Sequence, residues 1–191
     1  MSAAADRVIL VPRLGGRADS DFYPWLARRL RELDWRGEVE TAALRPPDAP
    51  ELAATVASVR GRLGAPSRAA RTVLVGHSVG CQAAMRALAE PGPTVAGLLL
   101  VAGWWTLDRP GPSLTPWLET GFDWARTRAR AASRVVLLST DDPYTADAAR
   151  TRRLFEERLG AEVRVHDRAA HFNKAEEPAV LAALSAMLGV S

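Results

Sequence analysis

The stretch Gly76-His77-Ser78-Val79-Gly80 has the residue types and spacing for covalent chemistry. It has the form G-x-S-x-G, in which a serine on a strained turn between a strand and a helix projects its hydroxyl above a sheet. The flanks fit that context. Thr72 to Val75 is β-branched and uncharged and reads as a buried strand, and Ala83, Ala84, Met85, Ala87 and Leu88 follow in helical order. Glycines two before and two after the serine let strand and helix approach closely. The serine would sit at a helix N-terminus, where free N–H groups and the helix dipole favour developing negative charge. An inert Gly/Ser turn can share the same five letters, so the rest of the chain must supply a base, an acid and a second N–H donor.

Three histidines are available. His77 is carried within the turn and is expected to point away from Ser78 in a structural role. His166 lies within a strand pattern. His171 follows that strand in a loop that can reach over the sheet, and it is the expected base. The acid should emerge from the preceding strand, where Ser139-Thr140-Asp141-Asp142-Pro143 offers both Asp141 and Asp142. The order serine, aspartate, histidine is that of α/β-hydrolases. For an oxyanion, the Val79 N–H is the first expected donor. The second should come from the loop Arg13-Leu14-Gly15-Gly16, from Arg13 or Leu14, with Leu14 taken as the donor.

The elements that must position these groups alternate strictly. Expected strands are Val8–Val11, Val39–Leu44, Thr72–Val75, Val95–Val101, Val135–Ser139 and Glu162–His166. Expected helices run from a cap at Asp19, Ser20 or Asp21 through Leu33, over 51–63, after Gly80, over 122–132, from a Thr145 cap to Leu159, and over 176–188. Six apolar strands separated by helices imply an α/β fold, a six-stranded parallel sheet with helices on both faces. A strand order 2-1-3-4-5-6 places the winding switch between strands one and three, beside both Arg13 and Ser78. No repeat or linker is apparent, so residues 1–191 read as one domain with a short Trp/Pro-rich insertion at about 104–120. Trp104, Trp105 and Trp117, with Arg13, are candidates for the wall of a substrate pocket; a sheet-end cover would use the same aromatics.

Composition bounds the remaining classes. The chain has 191 residues, 48% hydrophobic and 25% charged, with net charge +3, which is ordinary for a globular protein with a sizeable core. Arginines alternate with acids and no basic block is rich in aromatics, so nucleic acid is not an expected partner. Cys81 is the sole cysteine, which excludes an intrachain disulfide. The longest apolar run, Val95–Trp105, is too short for a membrane span, and no leader is apparent, so a cytoplasmic location is expected. No metal, nucleotide or nicotinamide pattern is present, and no cofactor is expected.

The chain resembles the retinoblastoma-binding protein 9 family of small serine hydrolases, a minimal branch of the α/β-hydrolases. The resemblance is carried by Gly76-His77-Ser78-Val79-Gly80, Ser139-Thr140-Asp141-Asp142-Pro143-Tyr144 and Ala170-His171-Phe172, and extends to Pro12–Gly16 and Trp117…Trp124. It implies a minimal α/β-hydrolase fold over the whole length. It implies Ser78 as nucleophile, the second aspartate, Asp142, as the acid and His171 as the base, with Asp141 structural. Arg13 stands where that family usually has glycine. The namesake's partner-binding motif has no counterpart around Cys81. The expected function is hydrolysis of small esters, thioesters or activated amides through an acyl-serine, with a small-molecule acyl substrate and a monomeric or weakly dimeric protein. The alternatives are a non-catalytic binding module on a hydrolase scaffold, or an acyltransferase using the same triad.

Overall fold

Alternation along each strand divides the core in two. In β1 (Arg7–Val11), Ile9 and Val11 face one side of the sheet and Val8 and Leu10 the other. The chain continues through α1 (Tyr23–Glu32), β2 (Glu38–Thr41), α2 (Leu52–Leu63), a single turn α3 (Pro66–Ala69), β3 (Thr72–His77), α4 (Val79–Ala89) and β4 (Val95–Val101). A 3-10 turn at Pro112–Leu114 leads to α5 (Thr115–Glu119) and α6 (Trp124–Ala129), then β5 (Ala131–Ser139), α7 (Ala148–Leu159), β6 (Glu162–His166) and α8 (Pro178–Leu188). The structure, a computed structural model, describes residues 5–145 and 147–190.

All five strand pairings are parallel, in the order β2-β1-β3-β4-β5-β6. Leu74, Leu98, Leu100, Val136 and Leu138 pack under α2, α4 and α7, and Val73, Val75, Leu99, Val101, Val135 and Leu137 pack under α1 and α8. With helices on both faces, the four central strands are apolar on both sides, as buried parallel strands must be. Edge strand β2 is exposed or half-buried throughout. The winding switch falls between β1 and β3, and the carboxyl ends of these two strands carry Arg13 and Ser78.

The expected fold class and strand order are found; several boundaries differ. β2 spans Glu38–Thr41 rather than 39–44, because after Ala42 bonds Leu10 the chain buries Leu44 and turns through Pro46 and Pro47. None of Asp19, Ser20 and Asp21 caps α1: Ser20 Oγ accepts the Arg17 N–H, and Asp21 pairs with Arg13. Asp147, not Thr145, caps α7, accepting the Arg150 N–H at 2.7 Å. α6 is shorter than 122–132 because Ala131 already pairs with Val95 in the sheet. Pro178, fitted to a first helical turn, starts α8 two residues after Glu176. Gly160 ends α7 in the left-handed conformation, as expected of a glycine after a helix.

Candidate active site

Ser78 adopts φ 56° and ψ −118°, a conformation that a non-glycine residue holds only when its surroundings enforce it. Those surroundings are specific. The Ser78 N–H donates to Val101 O at 2.9 Å, and Ser78 O accepts the Cys81 N–H at 2.9 Å. The two glycines of the motif are required by packing. A Cβ at Gly80 would fall on the Val11 carbonyl oxygen, and one at Gly76 would lie 2.6 Å from Cys81 Cα. Cys81 fills the space beneath the turn, its sulfur 3.1 Å from Gly76 O and 3.3 Å from Val101 O, and burial pushes its thiol pKa up.

His171 lies in the loop after β6, nearly fully buried. Its Nδ1 is 2.9 Å from Asp142 Oδ2, and Asp142, also buried, accepts the Tyr144 N–H at 2.9 Å on its other oxygen. This leaves Nε2 as the nitrogen free of the aspartate, and His171 and Ser78 line the same pocket. Asp141 takes the other part: it does not meet His171 but accepts Ser139 Oγ at 2.6 Å and the Ala170 N–H at 2.8 Å. Those two bonds, the Ser139 bond foremost, hold its carboxyl below the ordinary range. The Ala169 N–H donates to Ser139 Oγ, and the Arg168 N–H to Thr140 Oγ1, which itself bonds Asp167. The loop needs such restraint. Arg168, Ala170 and Phe172 all have positive φ, at a cost of about 1–2 kcal/mol each for residues with a Cβ.

Of the first-loop N–H groups, Arg13's donates to Tyr23 Oη at 3.1 Å, Gly15's to Pro47 O and Gly16's to Arg13 O. Leu14 lines the pocket, and among the described residues no group accepts its N–H. Val79 opens α4, so its N–H has no acceptor within the helix. The Arg13 guanidinium is held by both oxygens of Asp21, at 2.8 and 3.0 Å, and by Leu14 O at 2.8 Å.

The pocket measures about 200 Å³ and is lined by Arg13, Leu14, Ser78, Trp104, Leu107, Leu114, Tyr144, His171 and Asn173. Trp105 and Trp117 are not on this wall. They line a neighbouring hollow against Arg86, where Trp105 stacks on Phe122 and Trp117 is anchored by its indole N–H, which donates to Pro50 O at 3.0 Å. There Arg86, Phe122, Trp105 and Arg158 stack in four layers. Arg86 lies 4.4 Å over Phe122, Phe122 and Trp105 are 5.7 Å apart and parallel within 6°, and Arg158 lies 4.6 Å over Trp105. Arg86 also bonds Trp117 O, Thr120 O and Gln82, whose amide reaches Trp104 O. A larger hollow, at the amino ends of the strands, is lined by Arg7, Arg68 and Arg71, which pair with Glu40, Glu38 and Asp6.

Sequence reasoning missed four residues on this wall. Leu107 and Leu114 sit inside the insertion, where nothing local marks which apolar residue turns inward, and Asn173 gave no signal. Tyr144 could have been found from its place directly after Asp142-Pro143; its ring meets His171 edge to face at 4.6 Å.

The fold has many relatives of solved structure. The ydeN gene product from B. subtilis superposes with a TM-score of 0.81 at 21% identity, covering 97% of this chain and 100% of that one. A ydeN-like putative hydrolase from Pectobacterium atrosepticum gives 0.67 at 19%, with 96% and 90% covered. A carboxylesterase from Nitrososphaera gargenis gives 0.63 at 14%, with 99% and 92% covered. At such identities the likeness establishes the α/β-hydrolase fold. No curated protein matches the chain by sequence. The profile of the serine hydrolase family matches residues 8–187, nearly the whole length, and the chain belongs to that family.

Proposed function

We propose that the protein cleaves small, uncharged carboxylic esters or thioesters through an acyl-serine on Ser78, with His171 as general base and Asp142 as its orienting acid. The observation that carries this reading is the shared pocket: a serine held at φ 56° beside a histidine whose Nδ1 is engaged by a buried aspartate 2.9 Å away. His171 Nε2 takes the proton of Ser78 Oγ as the oxygen attacks the substrate carbonyl carbon. Asp142 keeps the proton on Nδ1 and steadies the imidazolium. The N–H groups of Val79 and Leu14 receive the oxyanion. The tetrahedral intermediate collapses as Nε2 returns the proton to the leaving group. A water deprotonated by the same nitrogen then releases the acid and restores Ser78.

The substrate range follows from size and charge. A pocket of about 200 Å³ accommodates roughly seven water-sized groups, which suits a short acyl chain. Trp104, Leu107 and Leu114, with Leu14, give its wall an apolar part, and Arg13, the cation on the wall, is already neutralised by Asp21. A carboxylate on the substrate therefore finds no free charge partner there. The resemblance of the motifs around Ser78, Asp142 and His171 supports reading the chain as one of the retinoblastoma-binding protein 9 branch within the family. The reading uses no cofactor and supposes a monomer or weak dimer acting in the cytoplasm; among the described residues no helix is long and apolar enough to cross a membrane.

The test is labelling by a fluorophosphonate probe. The wild type should label rapidly, and Ser78→Ala and His171→Ala should not. A folded wild type that takes no label would favour the binding-module reading instead.

A further inference from the structure

Beneath Ser78, four groups from three separate parts of the chain form one line of hydrogen bonds. The Arg13 N–H donates to Tyr23 Oη at 3.1 Å, Tyr23 Oη is 2.8 Å from His77 Nδ1, and His77 Nε2 is 2.8 Å from His171 O. The direction of every proton follows from chemistry. A carbonyl oxygen only accepts, so His77 carries its proton on Nε2. Nδ1 is then a lone pair, so the Tyr23 hydroxyl must donate to it, which leaves Tyr23 Oη free to accept from Arg13. His77 and Tyr23 are buried, and each heteroatom on the line has its partner.

We propose that Tyr23 and His77 are positioning residues that hold the oxyanion donor and the general base in one frame, a role that rests on the serine hydrolase reading above. At one end, the line fixes the first loop. Arg13 N–H is bound by Tyr23 and Arg13 O by the Gly16 N–H. The peptide between Arg13 and Leu14 is planar and trans, so a carbonyl pointing to Gly16 sends the Leu14 N–H the opposite way. At the other end, the line holds the backbone of His171 in a loop whose neighbours Ala170 and Phe172 are strained. The same imidazole must serve both ends, and it can do so only while neutral. Burial, with the neighbouring His171 as a second cause, pushes the His77 pKa down to about 3. His77 and His171 have ring centroids 5.5 Å apart, and His77, kept neutral, serves as the strut between the His171 backbone and the first loop.

The test uses Tyr23→Phe, which removes only the hydroxyl. On a 4-nitrophenyl butyrate substrate kcat should fall about 10- to 100-fold with KM within about twofold, the split expected when donors aimed at the transition state are misplaced. Affinity for a boronic acid, which mimics the tetrahedral adduct, should fall by the same factor as kcat. His77→Gln keeps an acceptor and a donor on one side chain and should lose less than His77→Leu. In the wild type, nitrogen-15 spectra should show His77 as the Nε2–H tautomer; an Nδ1–H tautomer would overturn the proposal without any variant. A labelled, active wild type with Tyr23→Phe at wild-type kcat and boronate affinity would overturn it alone. A folded wild type without label at Ser78 would overturn the hydrolase reading and this proposal together.

Discussion

Around His171 the backbone is held by side chains. Ser139, Thr140 and Asp141, at the end of β5, bond the N–H groups of Ala169, Arg168 and Ala170 in turn. Around Trp104 side chains hold the backbone by its carbonyls instead, and rings share the work. The insertion between β4 and α6 is held by one buried arginine bonded to its carbonyls and by aromatic rings stacked beside it. Hydrogen bonds fix both distance and direction, and His171, if it is the base proposed above, needs both to meet Ser78. Stacked rings and apolar walls tolerate small displacements, and an acyl chain needs no more. On the proposed reading the two regions, which meet at one pocket, divide its work into reacting and fitting.

Substitutions test that division, beginning where the loss should be greatest. Ser78→Ala and His171→Ala should each lower kcat/KM for a butyrate ester by about 10⁴-fold or more. Asp142→Asn should cost about 10³- to 10⁴-fold with the fold intact, since the amide holds the wrong tautomer of His171. Asp141→Asn should lower kcat about tenfold by loosening the His171 loop, with the order of preference among acetate, butyrate and hexanoate esters unchanged. A changed acyl preference in that variant would break the division.

Stability against pH gives an effect of similar size. His77 has a pKa of about 3 when folded against 6.5 when free. Between those values the unfolded chain binds the proton and the folded one does not, so acid favours unfolding. The contribution is complete above pH 6.5 and is lost as pH falls toward 3, by about 1.4 kcal/mol per pH unit. Urea denaturation at pH 6.5, 5.5 and 4.5 should show a shallower decline for His77→Gln than for the wild type. On the fitting side, Leu114→Ala should raise the hexanoate-to-butyrate ratio of kcat/KM about three- to fivefold, the worth of about one methylene of room, while butyrate turnover stays close to wild type.

The parts legible in the sequence were those with local causes. Unbroken apolar runs in Val8–Val11, Val73–Val75 and Val135–Leu138 marked strands buried on both faces, and two glycines around Ser78 marked a turn that side chains would obstruct. The line from Arg13 through Tyr23 and His77 to His171 was not legible, because its members are 10, 54 and 94 residues apart in successive steps. His77 could be given a structural role, but nothing near it named its partners. Trp104 and Trp105 are adjacent and alike in type, yet one lines the pocket and the other stacks on Phe122; facing is settled by Gln82 and Arg86 on another helix. Helix starts were misplaced where a polar residue had a stronger partner elsewhere, as Asp21 has in Arg13.

Cys81 gives the turn a clock. It is the sole thiol of the chain, wholly buried and wedged between Gly76 and Val101. A water-soluble disulfide reagent can reach it only when the serine turn or the helix behind it lifts away. The rate of thiol modification, read at rising concentrations of reagent, therefore times the opening of the support beneath Ser78. Any occupant that seats itself over Ser78 and favours the closed turn should slow that rate, so binding becomes measurable with compounds that are never turned over.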